Sequence, residues 1–323
     1  MKTNTLALAL ILFITGAVSA QAQVKYDTLS VGKIRQVLSY SGSKASPILL
    51  ILHGGPGSSK MNKTEEISNQ LQKHFLVVQW DQRDAGRTLA LNKSLVPITV
   101  KLMEDDTYEV IRQLLKKFGQ KKLYLLGESW GTVLGFKMAE KHPDLLNAYL
   151  AFSPVVNQTK SEQIVLDKLK MDAIEKNNMA ARQELDRVKI PFENYKDIYY
   201  SRKWMFSYDG HPFADKDTTG LKDYMADWSK TWMTTWNQAV SQNLFIELPK
   251  INCPVYFFLG EKDLQTNFNI NKEYFAVLKA PKKDLFLFKN AGHAVLNEEA
   301  EQVQKIIIDK ILQTTEGQTK GVW

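Results

Sequence analysis

Short runs of nearly unbroken apolar residues recur along the chain at Ile48–Leu52, Phe75–Trp80, Leu123–Leu126, Ala148–Phe152, Val255–Leu259 and Leu285–Phe288. Runs of this length without polar alternation predict strands covered on both faces, the condition of a parallel sheet between helical layers. Apolar residues spaced three and four apart predict helices over Met103–Phe118, Thr132–His142 and Glu298–Leu312. Val31–Tyr40 alternates more regularly and predicts an antiparallel edge strand. Strand and helix signals in this order predict an α/β protein with a mostly parallel sheet flanked by helices.

The alternation stops after Ser153-Pro154 and resumes at Pro254. Between them lie charged helical stretches, Ser161–Asn177 and Met179–Val188, followed by a segment crowded with tyrosine and tryptophan. The simplest organisation is a core over 23–155 and 249–323 with an inserted helical cap over 156–248. Such a cap is expected to sit over the C-terminal edge of the strands, where open α/β sheets bind ligands. Within it Trp228, Trp232 and Trp236 are four residues apart, which puts them on one face of a helix.

Composition narrows the picture. The chain has 323 residues, 44% of them apolar, enough for one large core. The formal net charge is +7, but the lysines are scattered among acids and no recognition motif accompanies them, so no nucleic-acid partner is expected. Residues 1–22 have a basic start at Lys2, an apolar stretch from Leu6 to Val18 and the small-residue end Ala20-Gln21-Ala22. This reads as a cleavable signal peptide, hence a secreted or periplasmic protein without stable membrane insertion. The single cysteine, Cys253, cannot form an internal disulfide and reads as a buried structural thiol. No histidine or cysteine spacing suggests a metal site.

The candidate chemistry lies at the ends of the predicted strands. Gly127-Glu128-Ser129-Trp130-Gly131 follows one strand and opens a helix, the strand–turn–helix context of a nucleophile elbow. His53-Gly54-Gly55-Pro56-Gly57 follows another, and its glycines let backbone N–H groups face a ligand. A tetrahedral oxyanion needs two such donors, expected here from Trp130 and from Gly55 in preference to Gly54. A serine hydroxyl also needs a base, and the base needs a carboxylate to hold its tautomer. Asp263 and His293 follow the last two strands and complete the order Ser, Asp, His, with Glu261 as the alternative acid. His53 is expected to brace its turn, and His74, His142 and His211 compete poorly as the base. Gly54, Glu128, Trp232 and Trp236 are the candidate substrate contacts.

HGGPG at 53–57, Asp81-Gln82-Arg83 with Gly86, and GESWG at 127–131 together resemble the proline iminopeptidase branch of the α/β-hydrolases, a serine peptidase family. The resemblance implies the α/β-hydrolase fold, an acyl-enzyme mechanism without cofactor, a short-peptide substrate and release of an N-terminal residue, with a helical cap supplying specificity. Two positions depart from the family pattern. Asp84 stands where glycine commonly follows the DQR motif. Trp236-Asn237 stands where the family often carries Trp-Glu, whose carboxylate helps bind the substrate amine. Glu193, Asp223 and Asp227 are the cap acids that could take that part. An esterase or amidase acting on a small uncharged substrate is the alternative, and a non-catalytic binding protein on the same scaffold is a third reading.

Overall fold

The computed structural model describes residues 24–209 and 215–313. The expected signal peptide over 1–22 lies outside the described residues, as does His211. The strands are β1 (Lys25–Val31), β2 (Ile34–Ser41), β3 (Ile48–Leu52), β4 (Leu76–Asp81), β5 (Leu123–Glu128), β6 (Leu146–Phe152), β7 (Val255–Gly260) and β8 (Lys283–Phe288). They form a single sheet in the order β1-β2-β4-β3-β5-β6-β7-β8. β2 runs antiparallel to β1 and β4, and the other neighbours are parallel. This is the α/β-hydrolase fold.

The apolar runs are buried on both faces because successive side chains point to opposite sides of a strand. Leu50 and Leu52 of β3, Val78 of β4 and Leu125 of β5 join the core beneath the helices Val100–Phe118 and Trp130–Lys141. Their neighbours Leu49, Ile51, Val77 and Leu126 join the second core, closed by Val303, Ile307 and Ile311.

Two expectations are corrected. The alternating segment Val31–Tyr40 is not one edge strand. The chain turns on Gly32-Lys33, both at positive φ (52° and 66°), and splits it into the β1–β2 hairpin. A two-residue turn of this hand matches the twist of paired strands. The more exposed β1 is therefore the edge, and β2 is an inner strand. The helix expected over Glu298–Leu312 is also broken. It comprises Val295–Glu298, Ala300–Ile306 and a wide π-type turn over Ile307–Leu312. The Glu298 side chain caps the preceding loop, accepting from Gly292 N–H (2.6 Å) and Ala294 N–H (3.1 Å), and the chain bends at Glu299.

Between β6 and β7 the chain is helical: Gln158–Glu175, Met179–Leu185, Tyr195–Tyr208, Asp215–Val240 and Leu244–Glu247. Four of these helices start on an asparagine. Asn157, Asn178, Asn194 and Asn243 accept backbone N–H groups of Lys160, Ala181, Lys196 and Phe245 at 2.9–3.2 Å. Asparagine is favoured there because its oxygen satisfies a donor that has no intrahelical partner. The long helix is tied to the core by Trp228 Nε1 donating to Pro56 O (2.9 Å) and Thr235 Oγ1 donating to Ile98 O (2.7 Å).

Candidate active site

β5 ends at Glu128 and the helix Trp130–Lys141 begins two positions on, so Ser129 alone forms the turn between them. Its backbone sits at φ 50°, ψ −119°, a conformation that L-residues adopt only under constraint. The constraint is visible on both sides. Ser129 N–H donates to Phe152 O (2.9 Å), and Ser129 O accepts from Thr132 N–H (2.8 Å) and Oγ1 (2.6 Å). The glycine at 131 is required by proximity, since a Cβ there would lie 2.1 Å from Leu52 O.

His293 and Asp263 arrive from the ends of β8 and β7. His293 Nε2 is 2.9 Å from Ser129 Oγ, and its Nδ1 is 3.0 and 3.2 Å from the two oxygens of Asp263. Asp263 is buried and further held by Gln265 N–H (2.8 Å), Thr266 N–H (3.0 Å) and Thr266 Oγ1 (2.7 Å). Ser153 Oγ fixes the histidine's backbone by donating to His293 O (2.7 Å). Burial pulls the imidazole's basicity down, but the Asp263 charge and hydrogen bond, helped by Glu128, leave its pKa above the ordinary histidine value. Burial works against the Asp263 anion, yet His293 and Thr266 hold its pKa below the usual carboxylate value. Glu261, the alternative acid, is exposed.

The glycine loop is braced as expected from its histidine. His53 Nδ1 donates to Gly54 O (2.8 Å), and Nε2 accepts from Gln82 N–H (3.2 Å). Burial depresses the His53 pKa, in keeping with the neutral tautomer these bonds require. A trans peptide directs its N–H opposite to its carbonyl, so holding Gly54 O on His53 turns the Gly55 N–H the other way. Gly54 itself packs on the serine, where a Cβ would lie 3.3 Å from Ser129 Cβ. The Trp130 N–H belongs to the first helical residue and has no intrahelical acceptor. Gln82 joins the two loops, its Oε1 accepting from Trp130 Nε1 (3.0 Å) and its Nε2 donating to His53 O (3.1 Å). The departure at Asp84 also has a physical account. Its φ is +52°, a left-handed conformation that glycine enters freely and aspartate tolerates, and Oδ1 accepts from Ser94 N–H (2.6 Å).

Under the cap lies a cavity of about 310 Å³, bordered by Ser129, His293, Gly54 and Gly55. Its apolar wall includes Ile198, Phe206, Trp228 and Trp236, and its charged residues are Lys60, Glu128 and Arg202. Lys60 pairs with Glu128 Oε1 (3.0 Å) and donates to Asn297 Oδ1 (2.5 Å). Of the expected substrate contacts, Gly54, Glu128 and Trp236 line this cavity. Trp232 does not, and Trp228 stands there instead. The Trp232 indole lies over Gly57, where an added Cβ would be 2.7 Å from its Nε1, and 6.4 Å from the Trp130 ring. It packs the cap onto the glycine loop.

None of the cap acids singled out in the sequence reaches the cavity. Glu193 pairs with Lys189 and Asp227 with Lys230 on the surface, and Asp223 is exposed. Asn237 donates to Phe192 O (2.8 Å) and borders a separate crevice. What sequence reasoning missed is a buried pair from two cap helices, Arg202 and Glu162. Arg202 Nη1 donates to Glu162 Oε2 (2.8 Å) and Nη2 donates to Oε1. The partners are forty positions apart on different helices, a separation with no periodic signal.

Among the described residues no group of three or more His, Cys, Asp or Glu could hold a metal ion, and no helix is long and apolar enough to cross a membrane. The Cys253 thiol is buried, and burial pushes its pKa up to about 12, so it carries no thiolate near neutral pH.

Residues 47–177 match the family described as alpha/beta hydrolase fold. The probable aminopeptidase YbaC of Bacillus subtilis is 28% identical over 292 residues, covering 84% of this chain and 91% of that protein. A proline iminopeptidase of Heyndrickxia coagulans is 24% identical over 276 residues, covering 81% and 89%. The crystal structure of the proline iminopeptidase of Mycobacterium smegmatis superposes with a TM-score of 0.65 at 17% identity, over 91% of this chain and 99% of that one.

Proposed function

We propose that this chain, an α/β-hydrolase similar to proline iminopeptidases, is a serine aminopeptidase that removes the N-terminal residue of short peptides through an acyl-enzyme. The observation that carries the reading is the unbroken relay from Ser129 Oγ through His293 to Asp263, at 2.9 and 3.0 Å, at the edge of a capped cavity. His293 Nε2 takes the Ser129 proton as Oγ attacks the scissile carbonyl. The oxyanion is held by the N–H groups of Gly55 and Trp130. Collapse of the tetrahedral intermediate expels the amine, which receives the proton from His293. A water molecule, deprotonated by the same imidazole, then releases the acyl group and frees the serine. The expected signal peptide makes this an exported enzyme, and N-terminal sequencing of the exported protein should find a start near Gln21 or Gln23.

A second reading has its own support. The cavity receives none of Glu193, Asp223 and Asp227, and Asn237 turns elsewhere. An esterase or amidase whose substrate lacks an ammonium group needs no such acid. The experiment that separates the readings uses aminoacyl arylamides with free amines, their N-acetylated counterparts and simple aryl esters. The aminopeptidase reading requires the free amines to be cleaved at least tenfold better than the blocked compounds. The reverse order establishes the second reading.

A further inference from the structure

The cap wall of the cavity carries hydrogen-bond donors that the protein does not use. Arg202 borders the cavity yet is only 6% exposed. Its guanidinium has five N–H groups. Three have partners among the described residues: two go to Glu162 and one to Ser201 Oγ at 3.2 Å. The other two are without one. Trp236, which borders both this cavity and the crevice beside Asn237, buries an indole N–H that also lacks a partner among the described residues. Buried donors without acceptors are costly, and a ligand that supplies acceptors recovers that cost.

The charges are ordered as well. Arg202 borders the cavity, whereas Glu162 stands behind it and does not. Arg202 and the catalytic-end residue His293 border the same cavity. The acid on the cavity floor, Glu128, gives Oε1 to Lys60 at 3.0 Å, while its Oε2 is buried without a partner among the described residues. The two ends of the cavity therefore differ: the free Glu128 Oε2 offers an acceptor on the floor, while on the cap wall an anion meets a cation with spare donors.

We propose that Arg202, assisted by Trp236 Nε1, is a receptor for a carboxylate of the substrate close to the scissile bond. Two sources offer that chemistry: an acidic side chain on the residue being released, or the terminal carboxylate of the departing residue in a dipeptide. Glu162 is the positioning residue that holds the guanidinium flat against the cap and aims its remaining donors inward. A charge-assisted, partly bidentate contact of this kind is worth about tenfold to a hundredfold in kcat/KM.

The inference rests on the proposed hydrolysis at Ser129, and the test separates the two through matched pairs. Glutamyl and glutaminyl 4-nitroanilides differ only in the side-chain carboxylate. Leucyl-glycine and leucyl-glycinamide differ only in the terminal one. An aryl ester of glutaric acid against that of butyric acid presents the carboxylate without any amine. Wild-type enzyme should prefer the anionic member of at least one pair by tenfold or more, and the pair that responds identifies the source. In Arg202→Gln that ratio should fall to near one, mostly through KM, and Arg202→Lys should restore part of it. Because Arg202→Gln leaves Glu162 buried without its partner, the double variant Arg202→Gln/Glu162→Gln, which removes both charges together, is measured alongside. Its ratio should also be near one. A carboxylate preference confined to the ester pair keeps this receptor and removes the aminopeptidase reading. Cleavage of neutral free-amine substrates with no preference in any pair, or a preference unchanged in the double variant, overturns the receptor and leaves the aminopeptidase reading standing.

Discussion

Asp263→Asn is the substitution whose consequence follows most directly from the hydrogen bonds. Asp263 accepts from Gln265 N–H and Thr266 N–H on Oδ1, and from Thr266 Oγ1 on Oδ2, while His293 Nδ1 reaches both oxygens. An asparagine would keep its oxygen on the two backbone donors, which cannot turn away. Its amide nitrogen would then take the place of Oδ2 and face His293 Nδ1. Two N–H groups cannot share that bond, so the imidazole moves its proton to Nε2. The nitrogen 2.9 Å from Ser129 Oγ becomes a donor and can no longer receive the serine proton. The expected loss is about 10⁴-fold in kcat, or roughly 5.4 kcal/mol of transition-state stabilisation. The fold should survive, because the backbone bonds persist and the Thr266 hydroxyl can rotate to a new partner. The assay is single-turnover acylation with an activated aryl ester, together with the melting temperature and fluorophosphonate labelling rate. A loss under tenfold in a protein of unchanged melting temperature would show that Asp263 does not hold the His293 tautomer. So would an equal loss from Glu261→Gln.

Other consequences are read in the same assays. On an uncharged ester, kcat/KM should rise with pH through a midpoint above 6.5, because the base works only when neutral and its pKa is raised in the folded enzyme. Glu128→Gln removes one of the charges that raise it and should move that midpoint to lower pH, and a midpoint unmoved or higher contradicts the assignment. Trp236→Leu should lower kcat/KM for a bulky substrate several-fold more than for a small ester, with little change in melting temperature. Trp232→Leu should affect both substrates alike and lower the melting temperature by roughly 4–8 °C, since its ring packs the cap against the glycine loop. If the two tryptophan variants exchange these behaviours, Trp232 and not Trp236 borders the bound substrate.

The central strands were legible because burial on both faces leaves an uninterrupted apolar signature. Leu49 and Leu50 belong to different cores, and both must be apolar. β1 was not legible, since Lys25–Val31 is largely exposed and owes its place to a turn at Gly32-Lys33 rather than to its own apolar residues. The loops that gather Ser129, His293, Asp263 and Gly55 were legible for a different reason. Each follows a strand directly, and parallel strands deliver their C-terminal ends to one edge. The cap offered no such geometry. Its helix starts could be read from asparagines, but which tryptophan borders the cavity depends on how the long helix sits over Gly57. Arg202 was invisible because its meaning comes from Glu162 on another helix and from the cavity between them.

The proposed hydrolysis depends on Ser129 as the nucleophile, and the most direct measurement is mass spectrometry of the protein after reaction with a fluorophosphonate. The expected result is one adduct, on the peptide carrying Ser129, formed in wild type and absent from a folded Ser129→Ala variant whose kcat is lower by about 10⁴-fold or more. An adduct on a different residue, or hydrolysis persisting in Ser129→Ala, would contradict it.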